Sequence, residues 1–125
     1  MTIICTDPSL ISLWAMKRDV KKILPNSEVY VCITAASAIR HAKKYGCAVL
    51  ITEIDLGRDK EEGILLAEKI KELFPRVNII FATAAPERDY TSRILKIRYS
   101  GFLYKPYSTE ELRTELENLR YELLC

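Results

Sequence analysis

CAVLITEIDL, residues Cys47–Leu56, decides the fold. Its centre, Ala48–Ile51, is an unbroken apolar run, and Gly46 and Gly57 bound the stretch. A short run without polar alternation suits a strand covered on both faces, as in a parallel sheet, since a half-exposed strand would alternate. The stretch ends in two carboxylates, Glu53 and Asp55. Open α/β sheets place their sites at the C-terminal ends of strands, so any chemistry is expected there.

The segments on either side repeat one pattern. Thr2–Thr6 reads as an apolar strand, and Asp7-Pro8 opens a helix over about Ser9–Leu24, with Asp7 as N-cap. Leu10, Leu13, Trp14, Ala15, Val20, Ile23 and Leu24 form its apolar stripe, with Trp14 as a core or packing residue. Glu28–Ile33 is β-branched and aromatic, a strand; Thr34 caps a helix over Ala35–Tyr45 that Gly46 ends. His41 is expected on the surface of that helix.

After the central strand come a polar loop, Leu56–Glu62, and a helix over Ile64–Phe74 closed by Pro75. Val77–Ala82 is a further buried strand, followed by a weaker helix over Arg88–Tyr99. Gly101–Tyr104 is the last strand, and Lys105-Pro106 ends it, because proline cannot continue a central ladder. Ser108-Thr109-Glu110-Glu111 is a capping box before a final helix striped by Leu112, Leu116, Leu119 and Leu123. Strand and helix alternate five times with short links. That implies right-handed crossovers and one doubly wound parallel sheet with helices on both faces, an α/β domain filling residues 1–125.

Composition narrows the function classes. A chain of 125 residues buries roughly two-thirds of its unfolded surface, enough for a core without staples. Nineteen basic and 17 acidic residues leave a net charge of +2, too small and too mixed for a nucleic-acid or membrane surface. Four scattered cysteines without a CxxC pair read as reduced thiols of a cytoplasmic protein. One histidine cannot build a metal cluster, and no apolar run approaches the roughly 20 residues of a membrane helix.

The topology brings polar strand ends to one edge: Asp7 after the first strand, Glu53 and Asp55 at the third, Thr83 at the fourth and Lys105 at the fifth. Carboxylate, hydroxyl and ammonium together suit a cation, a phosphoryl group, or both. The bland alternative is the ordinary polar rim of a doubly wound sheet.

These residues make the chain resemble a response-regulator receiver domain of two-component signalling. Glu53-Ile54-Asp55-Leu56 resembles the phospho-acceptor stretch, and IIFATA, residues 79–84, the strand ending in the switch residue, here Thr83. SGFLYKP, residues 100–106, resembles the final strand, with Phe102 at the switch aromatic, Lys105 as the phosphate-binding lysine and Pro106 after it. Thirty positions separate Glu53 from Thr83 and 22 separate Thr83 from Lys105, family-like spacings. The resemblance implies a five-stranded, flavodoxin-like sheet in the order 2-1-3-4-5. It also implies a non-enzymatic signalling role in a phosphorelay, feeding transcriptional control through an output domain or partner. Its partners would be a sensor kinase or output domain, and a second copy through the last two helices and last strand. The domain itself would touch neither nucleic acid nor membrane.

The departures from the family pattern carry as much information. The phospho-acceptor position holds Glu53 rather than aspartate, and the acidic pair after the first strand keeps one carboxylate, Asp7. The usual Mg²⁺ ligands would be Asp7, Glu53 and the backbone at Asp55, a weakened set. The extra methylene carries the carboxylate out by roughly 1.3–1.5 Å, and a misplacement near 1 Å costs on the order of 100-fold. Weak or absent phosphorylation is the expectation. Glu53 then either pairs with Lys105 and Thr83 as a partial phosphoryl mimic, or pairs with Lys105 as a purely structural tie. Two further readings stay open: a constitutive adaptor with a vestigial site, and a Mg²⁺-dependent phosphohydrolase, against which the missing second carboxylate argues.

Overall fold

The computed structural model describes residues 1–85 and 90–124, with the side chains of all of these except Thr91 and residues 120–124. In chain order the elements are β1 Thr2–Thr6, α1 Leu10–Ile23, β2 Glu28–Cys32, α2 Ala35–Tyr45 and β3 Val49–Thr52. They continue with α3 Glu62–Leu73, β4 Asn78–Thr83, α4 Thr91–Ile97, β5 Gly101–Tyr104 and α5 Thr109–Leu124. The five strands are parallel and lie in the order β2-β1-β3-β4-β5. The expected helix over Arg88–Tyr99 is described from Thr91 to Ile97, and residues 88–89 of that expectation lie outside the described residues.

The apolar runs place the core. All four residues of β3 are buried, as its sequence requires. Successive strand residues face opposite ways, so the sheet divides two apolar layers. Ile3, Cys5, Val49, Ile51 and Ile80 pack with Leu13, Met16 and Val20 of α1 and with Leu112, Leu116 and Leu119 of α5. Ile4, Leu50, Ile79 and Phe81 pack with α2, α3 and α4 through Ala38, Ala42, Ile64, Ala67, Ile70 and Ile94. Cys5, Cys32 and Cys47 are unbridged and buried, and burial pushes the Cys47 thiol up to about 12.

Local sequence sets the helix ends. The Thr34 hydroxyl accepts the Ser37 N–H at 3.1 Å, and Gly46 closes α2 at φ +86°, a conformation glycine adopts without cost. Thr34→Ala should therefore lower stability by about 1 kcal/mol in urea denaturation. The Ser108 hydroxyl accepts the Glu111 N–H at 3.1 Å and meets the Glu111 carboxylate at 3.3 Å, half of the expected capping box in altered form.

Three local expectations are corrected. Ser9, not Asp7, caps α1: its hydroxyl accepts the Ser12 N–H, while Asp7 takes the Ser9 N–H in a turn ahead of the helix. Trp14 is not in the core but 67 % exposed, and Leu10 is 54 % exposed. Leu13, Met16, Val20 and Ile23 set the buried phase of α1, which turns its N-terminal apolar residues to solvent. His41 is half-buried rather than on the surface, with its ring against Tyr30 and Tyr45. No described helix is long and apolar enough to cross a membrane.

Candidate functional site

Register builds the site. Thr6 of β1 pairs with Thr52 of β3, so the next residues, Asp7 and Glu53, leave adjacent strands at the same level. The Glu53 N–H donates to the Thr6 carbonyl at 2.9 Å, extending the ladder one step past β3. On the far side the Lys105 N–H donates to the Thr83 carbonyl at 2.9 Å, tying the end of β5 to the end of β4. The Lys105–Pro106 peptide is cis. Strand ends far apart in sequence thus meet over β3.

Lys105 bridges the two carboxylates. Its ammonium donates to Asp7 Oδ2 at 2.5 Å and to Glu53 Oε1 at 3.0 Å. The Asp7 side chain is 3 % exposed, that of Glu53 11 % and that of Lys105 24 %. Burial works against the lysine's charge, but the hydrogen bonds to Asp7 and Glu53 outweigh it and hold its pKa above the usual lysine value. The remaining carboxylate oxygens are also taken: Asp7 Oδ1 accepts the Ser9 N–H at 2.8 Å, and Glu53 Oε2 accepts the Ile54 N–H at 2.6 Å.

The other predicted residues lie around this bridge. Asp55 is exposed and accepts the Gly57 N–H at 2.9 Å, so its carboxylate belongs to the turn rather than to the bridge. Thr83 is buried, and its hydroxyl accepts the Ala85 N–H at 3.3 Å. Its expected hydrogen bond to Glu53 is not among the bonds of the described residues, because Ile54 supplies that donor from one residue away. Phe102 is half-buried, with its ring 6.3 Å from Phe81, 6.1 Å from Tyr99 and 4.8 Å from Tyr104. Pro106 is exposed and lines a groove with Lys105, Tyr107 and Met16.

The donor set does not fit a divalent cation as it stands. Each oxygen of Asp7 and Glu53 already takes an N–H donor, and one ammonium cancels half of their charge. Among the described residues no three acidic, histidine or cysteine side chains converge, whereas Mg²⁺ demands near-octahedral oxygen ligation.

Two features were not anticipated from the sequence. A Cβ on Gly63 would sit 1.9 Å from the Glu53 carbonyl oxygen and 2.7 Å from Ile54 Cα, so α3 starts directly against the backbone that carries Glu53. Arg93 of α4 reaches Glu61 at 2.7 Å and Glu68 at 3.2 Å, an ion-pair link from α4 to the start and body of α3. Arg113 likewise pairs with Glu110 at 3.5 Å, and the Arg120 side chain lies outside the described residues.

Comparison with known proteins agrees with the fold. The chain has the fold of a response regulator receiver domain protein from Clostridium thermocellum at a TM-score of 0.83 and 20 % identity, covering 99 % of this chain and 98 % of that one. It is similar to RcsB of Salmonella typhimurium at 25 % identity and a TM-score of 0.84, covering 97 % of this chain and 62 % of that one. The isolated REC domain of RcsB from Salmonella enterica serovar Typhimurium, in the presence of phosphomimetic BeF3-, matches at 26 % identity and a TM-score of 0.79. That match covers 97 % of this chain and 88 % of the other. No curated protein sequence matches. The sequence profile described as "Response regulator receiver domain" matches residues 14–117, from the first helix to the last. A sheet in the order 2-1-3-4-5, polar strand ends gathered over β3 and that profile match together assign the chain to the response regulator receiver domain family.

Proposed function

We propose that Glu53 occupies the phospho-acceptor position of this receiver domain and is phosphorylated weakly or not at all, its carboxylate acting as a fixed, partial stand-in for a phosphoryl group. The Glu53–Lys105 contact at 3.0 Å carries this reading. It supplies one of the two contacts a phosphoryl group would need, and one charge instead of about −1.5 to −2. The domain works by protein contact in the cytoplasm and turns over no substrate.

Transcriptional control through an output domain or partner is the downstream role. Its support is the 25 % identity with RcsB, a two-component response regulator whose complex with DNA has been solved and of which this chain spans 61 %. A protein partner, sensor kinase or output domain, is supported by α1. There Leu10, Ile11 and Trp14 are exposed beside Arg18, more apolar surface than an unpartnered helix needs.

A second reading, a phosphorylation-independent adaptor with a vestigial site, is favoured by one observation: the Thr83 hydroxyl serves Ala85 and not Glu53. One measurement tests both readings and a second separates them. Intact mass spectrometry after incubation with acetyl phosphate and Mg²⁺ should find at most a minor adduct, and near-complete phosphorylation of Glu53 sinks both. In amide NMR spectra, Glu53→Gln should shift Thr83 and Phe102 if the carboxylate is a mimic. Shifts confined to Asp7, Ile54 and Lys105 would leave the adaptor.

A further inference from the structure

Among the described residues Lys105 is the one cation paired with both Asp7 and Glu53. Its backbone is fixed at the end of β5 by the hydrogen bond to Thr83, and its stem is largely covered. The ammonium is therefore held over Asp7 and Glu53 at a high effective concentration, against which any free ion must compete. It uses both carboxylates, and backbone N–H groups of Ser9 and Ile54 take the oxygens it leaves.

Charge decides the competition. Two carboxylates and one ammonium leave the pocket at −1. Adding a divalent ion without removing the lysine would bring it to +1, with like charges forced together in a largely covered space. A longer glutamate side chain reaches Lys105, and the single carboxylate after β1 leaves no spare anionic ligand to hold a metal beside it.

We propose that the Lys105 ammonium is the resident counter-cation of the Asp7–Glu53 pocket and keeps divalent cations out, so that the pocket takes Mg²⁺ only when that ammonium is removed. This rests on the reading of Glu53 as the partner of Lys105, but its failure is separately visible. Near-complete phosphorylation of wild-type Glu53 counts against that reading, whereas metal binding by the wild type counts against this inference.

The test is titration of the wild-type domain, Lys105→Met and Lys105→Arg with Mg²⁺ at constant ionic strength, followed by calorimetry. Mn²⁺ line broadening at the Asp7 and Glu53 amides gives the location. The wild type and the arginine variant should show no saturable binding in the millimolar range. The methionine variant should bind at least about tenfold more tightly than either, the span of one decade in Kd. Saturable Mg²⁺ binding by the wild type with broadening at Asp7 and Glu53 overturns the proposal. So does an inert methionine variant, because the lysine would then not be what excludes the metal. If that variant is unfolded in Mg²⁺-free buffer, recovery of its helical circular dichroism with MgCl₂ but not with matched KCl supports the proposal, and no recovery overturns it.

Discussion

Lys105→Met should destabilise the domain by about 3 kcal/mol in Mg²⁺-free buffer. Breaking a buried ion pair by removing one partner typically costs 3–5 kcal/mol, because the other charge is left without a counter-ion. Here two carboxylates are left, with side chains only 3 % and 11 % exposed. The 24 % exposure of the lysine side chain lets water reach the site and places the expected value at the low end. Methionine keeps most of the stem, so the loss reports charge rather than packing. Urea denaturation checks the figure, and the Asp7→Asn/Lys105→Met pair should be less destabilised than the sum of its parts. A loss below about 1 kcal/mol would mean that the bridge behaves as an ordinary surface pair.

The pH dependence has a definite sign. A group whose pKa rises on folding stabilises below its unfolded value and loses that contribution as pH rises through the folded one. Lys105 is such a group. The gap between wild type and Lys105→Met should therefore be unaffected by lysine titration up to about pH 10, near the free lysine value, and close at higher pH.

The second large effect is expected at Gly63. Its Cβ would lie 1.9 Å from the Glu53 carbonyl oxygen and 2.7 Å from the Ile54 Cα. Both are backbone atoms that cannot rotate aside. Gly63 also donates its N–H to the Ile54 carbonyl at 2.7 Å, so the two segments cannot part without breaking a buried hydrogen bond. Space rather than backbone conformation is the constraint. Gly63→Ala should cost about 3 kcal/mol, the upper part of the usual range for overpacking. For a domain of this size that is a fall of roughly 10 °C in Tm. Since relief must come from moving the Glu53 backbone, the Lys105–Glu53 contact should loosen too. Thermal denaturation gives the first effect, and the Glu53 and Lys105 amide shifts give the second. A variant within about 1 kcal/mol of wild type would show that α3 can slide.

What the sequence disclosed follows from which forces act locally. Ala48–Ile51 and Ile79–Phe81 suit buried strands, because nothing polar interrupts them and they are short and bounded by turn residues, and the alternation with helices then points to the parallel sheet. Asp7, Glu53, Thr83 and Lys105 follow at once as residues at or just past strand ends. Their partners do not. Whether Glu53 turns its second oxygen to Thr83 or to the Ile54 N–H depends on one turn of backbone that no periodicity encodes. Trp14 was misplaced for a related reason. The first helix is apolar over more than one face, and only contact with the sheet selects Leu13, Met16 and Val20 as the inward set. The tight approach of Gly63 is a tertiary fact, visible beforehand only as a glycine at the start of a helix.

The exposed position of Trp14 also gives the domain an optical property. It is the chain's single tryptophan, and at 67 % exposure its indole is bathed in water in the folded state. Intrinsic fluorescence is therefore nearly blind to the collapse of the core and sensitive to anything that covers the first helix. The molecule carries its own probe, aimed outward at the company it keeps rather than inward at its own integrity.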